Sequence, residues 1–179
     1  MNLPNKLTIL RILLIPTFIL AYFIQNNIAY GNIIACIIFC GASFTDFLDG
    51  YIARKYKLVT DFGKFMDPLA DKLLVCTALI LFTWSNYINP VVVIVIVGRD
   101  FIISGIRLIA ASHGKVIAAS YWGKIKTVVQ MLMIILILLH FDNRVYNIIT
   151  FICVVAAFIL TIVSLVDYIW KNRNFIKDM

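Results

Sequence analysis

Six long apolar segments account for most of this chain of 179 residues. Each is about 20 residues long, the length that an α-helix needs to cross a hydrocarbon core of about 30 Å. The segments run over residues 7–25, 31–53, 68–85, 90–110, 125–140 and 145–169. The chain is 63% hydrophobic and 14% charged, whereas a soluble domain is about 45–50% apolar and about 25% charged. A soluble globular fold is therefore excluded. We predict an all-α integral membrane protein with six transmembrane helices in one bundle, forming a single domain over 1–179.

Basic residues are concentrated in alternate links between these segments. The links 26–30, 86–89 and 141–144 carry only Arg144. Lys6 and Arg11 are assigned to the cytoplasmic flank of the first helix. The other links and the C-terminal tail carry Arg54, Lys55, Lys57, Lys64, Lys115, Lys124, Lys126, Lys171, Arg173 and Lys177. Because cytoplasmic loops are enriched in Lys and Arg, we predict cytoplasmic termini in a multi-pass protein of the cytoplasmic membrane. The net charge of +7 fits contact with anionic lipids or substrates; in so apolar a chain it does not indicate a nucleic-acid partner.

Five of the nine acidic residues, all of them aspartates, lie between residues 46 and 71, and four of the five form two closely spaced pairs. Asp46 and Asp49 are near the cytoplasmic end of the second helix, and Asp67 and Asp71 are at the start of the third. Spacings of three and four residues put each pair on one helix face, and a hairpin brings the two faces together. A carboxylate at the bilayer centre costs roughly 2.5–3.5 kcal/mol and less near the interface, so the cluster requires compensation.

Three interpretations of this cluster are open from the spacing alone. Converging carboxylates suit Mg²⁺ or Mn²⁺, and zinc fits less well because no His or Cys joins the set. In a purely structural membrane protein, each Asp would instead pair with Arg54, Lys64 or Lys72. An ion or proton transporter also keeps carboxylates in the membrane, but it predicts acids spread through the membrane's depth. These four acids lie at one face, which favours a cation site.

The third helix is expected to begin at Pro68. Proline is tolerated in a first turn because the missing N–H has no partner there, and this start makes Asp67 the N-cap residue. Such a helix N-terminus also favours anions such as phosphate.

The aspartates form part of a longer pattern, Asp46-x2-Asp49-Gly50-x2-Ala53-Arg54-x8-Gly63-x3-Asp67-x3-Asp71. At every fixed position this pattern resembles the signature of the CDP-alcohol phosphatidyltransferases, and the six-helix layout agrees with that family. The resemblance implies a metal-dependent transferase of phospholipid biosynthesis that acts at the cytoplasmic face. It implies that an alcohol attacks the β-phosphate of CDP-diacylglycerol, that phosphatidyl is transferred and that CMP leaves.

The same resemblance assigns roles to the residues of the signature. It implies that Asp46, Asp49 and Asp67 bind two Mg²⁺ or Mn²⁺ ions, and that Asp71 is the general base and shares a metal. The residues that it places around CDP-diacylglycerol are Gly50, Ala53, Arg54 and Gly63. Outside the signature, Asn5 and Thr8 resemble an NxxT element that borders the nucleotide in bacterial members of the family, and they are expected to join this site. A homodimer embedded in membrane lipids is a further expectation.

The alcohol acceptor has to be inferred outside the signature. The start of the chain and the segments around Arg99-Asp100 and Lys124 are similar to bacterial phosphatidylglycerophosphate synthases, which implies sn-glycerol 3-phosphate as acceptor. Inositol phosphate, serine and phosphatidylglycerol stay open as alternatives. A phosphate-bearing acceptor requires cations, and the candidates are Arg107, Lys126, Lys124 and Arg99. Asp100 stands where that group has Glu, and it is expected only to pair with Arg99.

Overall fold

A computed structural model of the protein describes residues 3–28, 30–55, 61–114, 117–118 and 120–173. Within these ranges the side chains of residues 3–5, 26, 46–55, 61–65, 67 and 68 are not described. The described residues form six α-helices and one short 3-10 helix, Gln25–Asn27. The α-helices are α1 Leu3–Ile24, α2 Gly31–Lys55, α3 Asp61–Trp84, α4 Pro90–Ser112, α5 Tyr121–Leu139 and α6 Arg144–Lys171. This confirms the prediction of an all-helical chain with six helices.

Two helix starts show why the sequence places them where it does. Asn89 precedes α4, its side-chain oxygen accepts a hydrogen bond from the Val91 backbone N–H at 2.9 Å, and Pro90 takes the first helical position. Asn143 caps α6 in the same way through Val145, also at 2.9 Å. Asn is among the preferred N-cap residues because its short side chain reaches an otherwise unpaired N–H.

The start of α3 differs from the prediction. The helix begins at Asp61, so Asp67 and Pro68 lie inside it, and Asp67 is not its N-cap residue. Pro68 lacks the N–H that would donate to the carbonyl of Lys64, which removes one backbone hydrogen bond from the helix. The apolar residues Phe62 and Met66 precede Leu69 at helical spacing. This pattern indicates a helix that begins before Pro68, but the prediction gave more weight to the proline. The proposed anion-binding N-terminus at Pro68 is therefore wrong.

Three described segments are long and apolar enough to cross a membrane by length and composition: Lys6–Ile24, Tyr121–Leu139 and Arg144–Lys171. At a rise of 1.5 Å per residue, 19 residues span about 28 Å. Crossing by all six helices, and the side on which the termini lie, stay predictions.

The chain divides into two compact units. The first contains α1, α2 and α3 together with Leu138–His140. Here α1 packs against both α2 and α3, and its buried Phe18 lies 5.6 Å from the ring of Phe39 on α2. Tyr22 lies 6.0 Å from the ring of Phe82 on α3, and its hydroxyl donates to the Leu81 carbonyl at 3.4 Å. This aromatic core fixes α2 and α3, the two carriers of the signature, against α1.

The second unit contains α4, α5 as far as Ile137, and α6. In this unit α4 packs against α6. Buried side chains of α4 include Val93, Ile96 and Ile103, whereas the buried stripe of α6 contains Ala157 and three polar residues. These are Thr161, Ser164 and Tyr168. The single domain predicted over 1–179 stays a prediction.

Candidate active site

The two aspartate pairs lie on neighbouring helices of the first unit. Asp46 and Asp49 are in the C-terminal half of α2, and Asp67 and Asp71 are in the first half of α3. Both segments are helical, so the backbone keeps each pair one turn apart, as the spacing predicted. The two helices contact each other as well as α1. The backbone therefore brings the four positions onto two packed helices.

The side chains of several predicted site residues lie outside the described ones. They are Asp46, Asp49, Asp67, Asn5, Gly50, Ala53, Arg54 and Gly63. Asp71 is described and is half-buried. Among the described side chains, no three His, Cys or Asp residues form a group that could hold a metal ion, but three of the four signature aspartates are not in that set. The chemistry of the donors fits a hard divalent cation, because every candidate ligand is a carboxylate and oxygen donors are what Mg²⁺ and Mn²⁺ prefer.

Two polar residues of α1 are buried in this unit. Thr8 and Arg11 are both fully buried, and Arg11 Nε donates to Thr45 Oγ1 on α2 at 3.5 Å. Thr45 immediately precedes Asp46. The interpretation of Arg11 as a charge flanking the first helix is therefore wrong: it lies inside α1 and contacts the helix that carries the first two aspartates. The useful signal in the sequence was an Arg placed three residues after Thr8 within an apolar run.

In the second unit, Asp100 joins two of the predicted acceptor-binding cations. Lys126 Nζ on α5 donates to both carboxylate oxygens of Asp100, at 2.6 and 2.7 Å, and Arg99 Nη1 donates to Oδ1 at 3.0 Å. A Cβ on Gly123 would lie only 3.2 Å from Arg99 Nη2, so a glycine at the start of α5 leaves room for the guanidinium. Asp100 therefore pairs with more than Arg99, and the expectation of a simple Arg99–Asp100 pair is wrong.

Arg107, the third candidate cation, contacts α6 instead. Its guanidinium carbon lies 5.6 Å from the ring centroid of Tyr168, a distance typical of a cation–π contact. Arg107 Nε and the Tyr168 hydroxyl are both buried without a hydrogen-bond partner among the described residues. Tyr168 was missed by the sequence analysis, and its position after the polar residues Thr161 and Ser164 on α6 was the available signal. Lys124, the fourth candidate, is exposed.

Comparison with known proteins identifies the relatives of this chain. The family model described as CDP-alcohol phosphatidyltransferase matches residues 1–166. A protein of Bacillus subtilis named CDP-diacylglycerol–glycerol-3-phosphate 3-phosphatidyltransferase is 40% identical over 190 residues, which cover 98% of this chain and 97% of that protein. The protein of the same name from Haemophilus influenzae is 40% identical and covers 99% of this chain and 96% of its own length. The one from Rickettsia felis is 43% identical over 77% of this chain and 75% of its own length.

Proposed function

Because the chain belongs to the CDP-alcohol phosphatidyltransferase family, we propose that it transfers phosphatidyl from CDP-diacylglycerol to sn-glycerol 3-phosphate. The products are phosphatidylglycerophosphate and CMP, so the enzyme makes an anionic phospholipid. The observation that carries this proposal is the near full-length 40% identity to relatives that are named for this reaction. The intact signature from Asp46 to Asp71 supports it independently.

The chemistry proposed for the signature is a displacement at phosphorus. The acceptor hydroxyl attacks the β-phosphorus of CDP-diacylglycerol, a new O–P bond forms, and the bond from that phosphorus to the CMP oxygen breaks. Asp71 accepts the proton of the attacking hydroxyl, as a positioned carboxylate can. Asp46, Asp49, Asp67 and Asp71 would hold two Mg²⁺ or Mn²⁺ ions, which when bound neutralise the pyrophosphate and stabilise the leaving oxygens.

Residues of α1, α2 and α3 are proposed to bind the CDP-diacylglycerol. They are Asn5, Thr8, Gly50, Ala53, Arg54 and Gly63. The buried Thr8 supports this assignment, because it lies on the same helix face as Arg11, whose Nε reaches the residue that precedes Asp46. Arg11 is proposed to hold α1 against this part of α2, and so to position the first aspartate pair.

The acceptor phosphate is proposed to bind to cations of α4 and α5, namely Arg107, Lys126, Lys124 and Arg99. Arg107 is the strongest of these because it has no ion pair with any described carboxylate, while Arg99 and Lys126 are already paired with Asp100. An Arg offers two parallel N–H donors to a phosphate.

The membrane arrangement is part of the proposal. Six helices between 19 and 28 residues long and the one-sided distribution of Lys and Arg support six transmembrane helices in one domain, with both termini in the cytoplasm. The active site would then lie at the cytoplasmic face of the cytoplasmic membrane, and the enzyme would work as a homodimer among membrane lipids.

The direct test is the release of CMP by the protein purified in detergent. We expect release from CDP-diacylglycerol to require sn-glycerol 3-phosphate. Inositol phosphate, serine and phosphatidylglycerol are assayed in parallel. Release with one of these alone would replace the acceptor and keep the family chemistry. If folded protein released CMP with none of the alcohols, the transferase proposal would fail and an ion or proton transporter would become the better interpretation.

Replacing Arg107 by lysine tests the acceptor site. We expect Arg107→Lys to raise KM for sn-glycerol 3-phosphate roughly tenfold, since losing one bidentate contact to phosphate costs about 1.5 kcal/mol. KM for CDP-diacylglycerol should not change. Arg144→Lys makes the same substitution at an exposed residue and serves as the matched control. An Arg107→Lys enzyme with the wild-type KM for both substrates would remove Arg107 from the acceptor site.

A further inference from the structure

The carboxylate of Asp100 covers the ammonium of Lys126. Both of its oxygens accept hydrogen bonds from Nζ. The Asp100 side chain is 19% exposed, whereas the side chains of Lys126 and Arg99 are 1% and 10% exposed. Asp100 is therefore the most exposed of these three side chains.

Arg99 retains hydrogen-bonding capacity beside this pair. Its Nη1 donates to Asp100, but its Nε is buried and has no partner among the described residues. A buried donor without an acceptor is costly. Asp100 alone therefore does not satisfy all the donors of the Arg99 guanidinium.

The charges around Asp100 favour an anionic ligand over a neutral one. Lys126, Arg99 and Asp100 together carry a net charge of +1, while a phosphate monoester carries about −1.5 to −2 at neutral pH. Phosphate oxygens and the carboxylate use the same kind of donor, so a phosphate can compete with Asp100 for Lys126 and Arg99. A neutral alcohol cannot compete, and the cations then stay paired with Asp100.

We propose that Asp100 is a positioning and specificity-determining residue of the acceptor site. Its carboxylate holds Lys126 and Arg99 together before the acceptor binds, and it yields donors of both cations to the acceptor's phosphate. This inference rests on the proposed function. It adds that the carboxylate of Asp100 competes with the acceptor's phosphate for the donors of Lys126 and Arg99. A phosphate-bearing acceptor is then distinguished from a neutral alcohol when its phosphate replaces Asp100 as the hydrogen-bond partner of Lys126.

The test is Asp100→Asn in the full-length protein in detergent. Asparagine keeps the size of the side chain and one acceptor oxygen but removes the negative charge. We expect KM for sn-glycerol 3-phosphate to fall roughly three- to tenfold, because a like charge next to the phosphate is removed. KM for CDP-diacylglycerol should not change. Inorganic phosphate should raise the melting temperature of this variant more than that of the wild type. Asp142→Asn removes an equal charge at an exposed position and should change none of these values.

Other outcomes would overturn the inference. If Asp100→Asn has an unchanged or higher KM for sn-glycerol 3-phosphate, or phosphate stabilises it no more than the wild type, Asp100 is only a structural partner of Lys126. If Asp100→Asn does not fold, the double variant Asp100→Asn/Lys126→Gln is measured, and we expect its KM for sn-glycerol 3-phosphate to rise at least about tenfold through the loss of a cation. An unchanged KM in the double variant would also overturn the inference.

Failure of the wild-type enzyme to use sn-glycerol 3-phosphate would instead refute the proposed function. The effect of inorganic phosphate on the melting temperature would still test the role of Asp100.

Discussion

Replacing Asp71 by asparagine is expected to lower the rate of CMP release by a factor of about 10²–10⁴, the usual contribution of a general base. Asparagine has almost the same size and shape, so α3 should keep its packing. The amide cannot accept the proton of the acceptor hydroxyl, and it is a weaker ligand for a divalent cation than a carboxylate. The measurement is the initial rate of CMP release with both substrates saturating.

The control for Asp71→Asn separates chemistry from folding. Asp142→Asn, at an exposed position in the link before α6, should retain the wild-type rate, and the melting temperatures of both variants should stay close to that of the wild type. A folded Asp71→Asn enzyme with more than a tenth of the wild-type rate would contradict the assignment of Asp71 as the base. Full activity would support the structural interpretation, in which the aspartates only pair with nearby Lys and Arg.

The number of helices was predictable because each apolar segment is close to the length that a membrane requires. The beginnings of the helices were predictable where a local signal marks them, as Asn89 and Pro90 do for α4. The beginning of α3 was not, because a proline is favoured in a first turn and costly in a helix interior, and Pro68 therefore indicated the wrong start. The apolar spacing of Phe62, Met66 and Leu69 favours the interior position, and the prediction gave the proline more weight than this spacing.

The candidate functional residues also differ in whether a local sequence signal marks them. The one-turn spacing within each aspartate pair was predictable because helical spacing is a local property, whereas the roles of these aspartates stay predictions. Arg11 was misplaced because the positive-inside rule counts basic residues near helix ends. The rule does not distinguish a residue at the membrane surface from one that is buried against Thr45.

Asp100 and Tyr168 show the same limit between distant parts of the chain. Lys126 lies 26 residues from Asp100, and Tyr168 meets Arg107 through the packing of α6 on α4. Neither pair has a fixed spacing that a sequence pattern could reveal. Partners of this kind depend on the tertiary fold.

Removal of divalent cations is expected to abolish CMP release, and Mg²⁺ or Mn²⁺ should restore it. Asp46, Asp49, Asp67 and Asp71 place up to four negative charges on two packed helices. The pyrophosphate of CDP-diacylglycerol brings further negative charge to the same region. Without a cation these groups repel one another, so the substrate should bind poorly and the leaving CMP should not be stabilised.

This expectation is tested with a chelator in excess over the metal, and the chelator already saturated with Mg²⁺ is the matched control. Release should stop only with the free chelator, and Zn²⁺ should restore it poorly because the proposed site has no His or Cys ligand. The melting temperature of the wild type should fall when the metal is removed, while that of Asp71→Asn should fall less, because one of the repelling charges is gone. If release continued at the wild-type rate in free chelator, the carboxylates would have to be stabilised by the protein's own cations. The signature aspartates would then be interpreted as partners of nearby Lys and Arg residues and not as metal ligands.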